Sequence, residues 1–268
     1  MELTDVLYKK EEGIATVTIN RPNVLNALRA QTYIDLIAAF RDAVEDDEVG
    51  VMILTGAGDR AFSSGGDVKG QAVRKPGYGR KYLYRLMEIY GLLRNSGKPT
   101  IAAVNGYSIG AGHELHLICD ITIAAEDAVF GQVGPRVGSV PIWGATQILP
   151  RLVGEKRARE IIFLCRQYSA KEAYEMGLVN KVVPRDQLMG EVNAWAKEIL
   201  DKSPQSLRIA KTSLNFASDL LYSSYTHGIE MLALMYGNPE NMEGVTAFLE
   251  KRKPNYRKFR KSDVEVKS

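Results

Sequence analysis

The order in which apolar runs, glycine corners and helical stretches recur between residues 49 and 130 constrains this chain more than any other feature. Residues 49–55 form a near-continuous apolar run, the pattern of a strand covered on both faces. A turn at Gly56-Ala57-Gly58-Asp59 follows, then a short strand and glycine-rich corner over 61–67. A polar loop over 68–79 leads into a helix over 81–96. The order then repeats: a strand over 99–105, a glycine-rich turn over 106–112, a helix over 114–120, and short strands at 121–125 and 129–130. Such recurrence predicts an α/β fold of stacked β-β-α units with a mostly parallel sheet. Upstream, residues 7–20 read as two short strands around Glu12-Gly13, broken by Arg21-Pro22-Asn23. Residues 30–46 carry Tyr33, Leu36, Ile37, Phe40 and Val44 at helical spacing.

After Gly144 the texture becomes helical, over 145–153, 156–165, 170–176, 187–202, 204–220, 222–235 and 240–250, with Pro254 as a stop. Residues 1–200 are therefore expected to form the α/β core and 201–268 a helical C-terminal region with a loose tail from Ser262.

Composition narrows the function. The formal charge is +3, from 35 Lys+Arg against 32 Asp+Glu, too balanced to argue for a nucleic-acid partner. The basic excess clusters in Lys251, Arg252, Lys253, Arg257, Lys258, Arg260 and Lys261, which reads first as a solvated face. Cys119 and Cys165 sit in apolar surroundings, as buried thiols of a reducing compartment do. Met1 is followed by Glu2 and Asp5 with no leader-like run, and no segment reaches membrane-span length, so a cytoplasmic protein is expected. His113, His116 and His227 lack metal spacing, and no metal is expected.

Two glycine corners stand out, Ser63-Ser64-Gly65-Gly66-Asp67 and Gly106 to Leu115. Neither has the Gly-Lys-Ser/Thr of a phosphate loop, and Gly110-Ala111-Gly112 fails the spaced-glycine dinucleotide pattern. The second corner opens a helix, so its N–H groups are unpaired. Two such corners facing each other could give two donors to one oxygen, an oxyanion hole aided by the helix dipole. A tight turn in any α/β protein is the plainer reading.

At these residues the chain resembles the crotonase (enoyl-CoA hydratase/isomerase) superfamily over nearly its whole length. The matching stretches are Ile19-Asn20-Arg21-Pro22 with Leu25-Asn26-Ala27-Leu28, residues 61–67, 98–106 and 110–115, Cys119-Asp120 and Phe130-Gly131-Gln132. Further matches are Ala170-Lys171-Glu172-Ala173, Gly177-Leu178-Val179, and Glu243-Gly244 before Ala247-Phe248. The resemblance implies a spiral of β-β-α units with a helical C-terminal trimerisation region, and a homotrimer or homohexamer. It implies a CoA thioester as substrate and no tightly bound cofactor. The N–H groups of Gly66 and Ala111 would be the oxyanion donors. Ala27, Ala61, Ser64, Gly65 and Asp67 would lie along the CoA, with Val68, Gln132 and Trp143 also against the substrate.

Hydratases of the family use two glutamates. Glu114 matches the first, whereas Gly134 stands at the second. Several stretches instead resemble naphthoate synthase and 2-ketocyclohexanecarboxyl-CoA hydrolase: residues 106–110, 130–139 and 159–168. By that resemblance Gly134 leaves room for a bicarbonate acting as base, Ser139 and Tyr236 belong to the site, and Tyr78 lies in the loop closing over the substrate. Two departures oppose it. Pro141 stands where an aspartate is expected, and Glu114 where an apolar residue is usual. A carboxyl in an apolar pocket is costly unless used or paired. Hydration or dehydration of an unusual, cyclic enoyl-CoA through Glu114 is therefore the favoured expectation. The alternatives are ring-forming or ring-opening carbon–carbon chemistry on a cyclic β-keto acyl-CoA, and a non-catalytic acyl-CoA- or RNA-binding subunit of the same fold.

Overall fold

The computed structural model describes residues 2–71 and 79–259. Along the chain run β1 (Val6–Glu11), β2 (Ile14–Ile19), α1 (Ala30–Glu45), β3 (Val51–Gly56), β4 (Ala61–Ser63), α2 (Val68–Gln71), α3 (Arg80–Arg94), β5 (Thr100–Val104), β6 (Tyr107–Ile109) and α4 (Ala111–Ile118). They continue with β7 (Ile121–Ala125), β8 (Val129–Gly131), α5 (Leu149–Val153), α6 (Glu155–Leu164), β9 (Gln167–Ser169), α7 (Ala170–Glu175) and β10 (Lys181–Val183). The helices α8 (Leu188–Leu200), α9 (Pro204–Asp219), α10 (Tyr222–Met235) and α11 (Pro239–Leu249) complete the fold.

Two sheets alternate along the chain. The larger has the order β1-β2-β3-β5-β7-β10 and the smaller β4-β6-β8-β9. Each turn of the spiral contributes one strand to each sheet: β3 then β4, β5 then β6, β7 then β8. Within the large sheet β2, β3, β5, β7 and β10 are parallel, with Ile53 opposite Ile101 and Ala103 opposite Ile123. Every residue of β3 and β5 is buried. Met52, Leu54, Ala102 and Val104 face the main core, while Val51, Ile53, Ile101 and Ala103 face a second core closed by Leu188, Val192 and Ala196 of α8. Covering both faces explains the unbroken apolar runs.

The helical C-terminal region packs into the main core through Tyr225, Ile229, Leu232 and Ala233 of α10. Helix α9 is tied down by Lys211, a buried lysine that donates to the Leu93 and Lys98 carbonyls and, at 2.7 Å, to Asp120. Asp120 also accepts from the Thr100 N–H and hydroxyl, so it is structural. Cys119 and Cys165 are both buried and unpaired in disulfides.

Three strands depart from the sequence reading. β6 lies inside the stretch read as a glycine-rich turn, and β9 and β10 were not expected. Each is set by pairing with a strand distant in sequence, β6 and β9 with β8 and β10 with β7, rather than by its own residues. The helix expected from residue 145 begins only at Leu149, after Gly144 adopts φ +107°. A short helix occupies 68–71 in the expected loop, while Tyr78 and the tail from Ser262 lie outside the described residues.

Candidate active site

The site begins with Asn26, which is fully buried and holds an unusual loop in place. Leu25 and Asn26 both have positive φ. The Asn26 side chain accepts from the Arg21 N–H and donates to the Ala57 and Ala61 carbonyls at 2.9 and 2.7 Å. This presents residues 25–28 as a short edge against the first glycine corner. Leu28 N–H donates to Gly65 O at 2.8 Å and Asp67 N–H to Leu28 O at 2.9 Å. In this parallel bridge Leu28 makes both bonds and its partner Gly66 makes none. Gly66 therefore turns its N–H away from that edge.

The second corner meets the first at Gly65. A Cβ on Gly65 would stand 2.8 Å from Ile109 O and 3.3 Å from Ala111 N, and the residue has φ +94°. Gly112 is equally constrained, since a Cβ there would lie 2.2 Å from Ser63 O. Ala111 is the first residue of α4, so its N–H has no intrahelical acceptor. Among the described residues, neither the Gly66 nor the Ala111 N–H has a hydrogen-bond acceptor. Two free donors on touching corners could serve one oxygen atom.

Both corners open on a cleft walled by Tyr33 of α1, Tyr82, Leu83 and Leu86 of α3, the segment 132–143, Leu232 of α10, Tyr236 and Phe248 of α11. Of the residues singled out from sequence, Ser64, Gly66, Val68, Ala111, Glu114, Gln132, Gly134, Ser139, Trp143 and Tyr236 line it together. Ala27, Ala61, Gly65 and Asp67 do not line it. Ala61 is buried in β4, the Ala27 carbonyl is bound by the Arg21 guanidinium, and Asp67 pairs with Arg21 at 3.3 Å.

Glu114, 6% exposed, is the carboxyl of this cleft. Burial pushes its pKa up to about 8, against a downward pull from the N–H groups of Trp143 and Ala145. The Trp143 bond is 2.5 Å to Oε1. These two anchors were missed from the sequence because main-chain donors leave no mark on residue type. His113 is held on Gln132, its Nδ1 3.3 Å from Nε2, and packs edge-on to His116 and Phe130. Burial drives its pKa down to about 3, so its imidazole is neutral and serves packing.

Gly134 brings no second carboxyl, and its surroundings do not make an anion cradle. A Cβ there would meet the Ser139 carbonyl oxygen at 3.1 Å and Pro141 Cδ at 3.4 Å. Gln132 Nε2 is already donated to Gly110 O, and among the described residues no Lys or Arg lines the cleft. The residues present do not fit a bicarbonate.

The enoyl-CoA hydratase/isomerase family model matches residues 9–259. The chain is similar in structure to an enoyl-CoA hydratase of Mycobacterium avium subsp. paratuberculosis K-10, with TM-score 0.87 and 27% identity over 95% of this chain and 99% of that one. It is similar to an enoyl-CoA hydratase of Bacillus anthracis at 31% identity, covering 94% and 99% of the two chains, with TM-score 0.77. DspI of Pseudomonas aeruginosa is 31% identical, with TM-score 0.78 and 96% and 98% coverage. On the spiral of paired strands and the matched length, this chain belongs to the enoyl-CoA hydratase/isomerase family, within the crotonase superfamily.

Proposed function

We propose that this protein adds water to, or removes it from, a bulky cyclic enoyl-CoA, with Glu114 as the single proton-handling group. The observation that carries the reading is one buried carboxyl, pushed up to about 8, in a cleft that also holds two unaccepted N–H donors. The thioester oxygen accepts from the N–H groups of Gly66 and Ala111. The Glu114 carboxylate takes a proton from water as the water oxygen bonds to Cβ. The double-bond electrons move onto the thioester as an enolate, and Glu114 returns the proton to Cα. The net change is H and OH across the double bond, with no other reactant. Each N–H donor contributes on the order of 3 kcal/mol to holding the enolate oxygen, and a group titrating near neutrality can both take and give the proton.

The aromatic and aliphatic wall of Tyr33, Tyr82, Leu86, Trp143 and Tyr236 supports a bulky acyl group. Carbon–carbon chemistry on a cyclic β-keto acyl-CoA is the second reading, supported by Ser139 and Tyr236 in the same cleft and opposed by Pro141. Assembly as a homo-oligomer is part of the proposal. Ile209 and Phe216 of α9 and Leu220 at its C-cap lie along one side and are 57, 69 and 72% exposed, a stripe that a second copy would cover.

Turnover of two thioesters separates the readings. Loss of the conjugated-enoyl absorbance of a cyclohexene-carbonyl-CoA is expected. Ring opening of 2-oxocyclohexane-carbonyl-CoA with no hydration of the enoyl thioester would replace this reading by the second.

A further inference from the structure

Trp143 uses two different N–H groups at once. Its main-chain N–H donates to Glu114 Oε1 at 2.5 Å, and its indole Nε1–H donates to the Leu86 carbonyl, in the middle of α3, at 2.8 Å. The side chain is 1% exposed and packs edge-on to Tyr33 at 6.1 Å, which itself meets Tyr82 of α3 edge-on at 5.2 Å. Trp143 therefore joins the helix that walls the cleft to the carboxyl inside it.

The neighbours of Trp143 are held from other sides. Ile142 lies against Gly228 of α10, where a Cβ would stand 2.9 Å from Ile142 Cβ. Gly144 N–H donates to Gln147 Oε1 at 3.2 Å. A buried tryptophan has two side-chain torsions between its main-chain and indole N–H groups, and dense packing leaves both little freedom. The depth of α3 over the cleft and the reach of the Trp143 main chain to Glu114 are thus one variable.

We propose that Trp143 is a positioning residue: its indole bond to Leu86 couples the seating of α3 to one of the two main-chain hydrogen bonds that hold the Glu114 carboxylate. This rests on Glu114 handling the proton. Among the described residues the titratable groups that share the cleft with it are tyrosines, Tyr33 of α1, Tyr82 of α3 and Tyr236, while Tyr225 of α10 interacts with it electrostatically. Its helix neighbour His113 is held on Gln132. Among the described residues no Asp, Lys, Arg or second Glu lines the cleft. Burial raises the proton affinity of Glu114, and the donor bonds from Trp143 and Ala145, rather than neighbouring charges, oppose that rise. Slackening the indole tether lets the Trp143 main chain withdraw, and a carboxylate that loses a donor holds its proton more tightly.

The test is the pH dependence of kcat for Trp143→Phe, which keeps an aromatic ring and lacks the donor. The acid limb is expected to move up by roughly half a unit or more, whatever happens to KM, since Trp143 also walls the cleft. Should Trp143→Phe fail to fold, β-(3-benzothienyl)alanine in a Trp195→Phe background replaces the indole N–H by sulfur in a ring of nearly the same shape. The limb is then expected to shift relative to Trp195→Phe alone. A fall in kcat of equal size at every pH, or a change confined to KM, would show a structural role only and overturn the proposal. Glu114→Gln is measured beside these variants. If it retains turnover, Glu114 does not handle the proton and the positioning role falls with it. If it is inactive while the limb stays fixed in both Trp143 variants, the positioning role alone is wrong.

Discussion

Gly65 and Ala111 touch. The space a Cβ would need on Gly65 is taken by the Ala111 nitrogen at 3.3 Å and the Ile109 carbonyl oxygen at 2.8 Å. Two corners far apart in sequence are brought together by the absence of side chains at Gly65 and Gly112, and their N–H groups come with them. Gly65→Ala would force the corners apart, besides straining a residue at φ +94°. Turnover is expected to fall about a hundredfold, the scale of losing one oxyanion donor. Steady-state kinetics alongside circular dichroism separate this loss from unfolding.

Glu114 links function to a stability cost. Its folded pKa of about 8 lies above the usual value of 4.5, so the folded chain binds the extra proton between those pH values. The stability contributed by the neutral carboxyl is complete below 4.5 and is lost as pH rises through 8. Glu114→Gln, which keeps an acceptor for Trp143 and Ala145, is expected to be more stable than wild type at pH 9, by up to a few kcal/mol. Urea midpoints for the two proteins at pH 5 and pH 9 check the crossing.

His113 and His116 act in the opposite direction. Burial lowers both pKa values, His113 to about 3, and holds both rings neutral in the fold. Below about pH 6.5 the unfolded chain binds protons that the folded chain refuses, so stability falls as pH falls. Each ring contributes a slope approaching ~1.4 kcal/mol per pH unit. His116→Gln is expected to flatten the acid limb of stability against pH by about one such slope, read from urea titrations between pH 7 and 4.5.

Lys211 is the buried cation that fastens α9. Its three acceptors are the Leu93 and Lys98 carbonyls and Asp120. Removing one partner of such a pair strands the rest, at a cost of about 3 kcal/mol or more. Lys211→Ala is expected to lower the unfolding free energy by that amount, read from urea titration, with little change in KM.

The exposed stripe on α9 gives an assembly prediction. Phe216→Glu places a charge in the proposed contact between copies. Analytical ultracentrifugation is expected to show smaller species than for wild type, whereas an unchanged sedimentation coefficient would count against this face.

Much of the architecture is legible in the sequence because burial on both faces writes itself as unbroken apolar runs such as 51–54 and 101–104. The β-β-α recurrence and the two corners are read from glycines whose missing side chains the packing demands. The short strands β6, β9 and β10 are not legible, since their pairing is decided by distant segments. In the site, Glu114 is legible through its match to the first glutamate of the family's hydratases. Its anchors are not, because the Trp143 and Ala145 N–H groups are common to every residue type except proline. Trp143 reads as an apolar wall, yet its indole bond to Leu86 emerges only once α3 lies beside it.

The most direct test of Glu114 as the cleft's proton-handling group is single-turnover hydration of a cyclic enoyl-CoA by wild type and Glu114→Gln. Binding of the saturated acyl-CoA is measured on both proteins. Hydration is expected to drop by about a thousandfold while the Kd for the saturated thioester stays within about twofold. Hydration by Glu114→Gln within tenfold of wild type would contradict it.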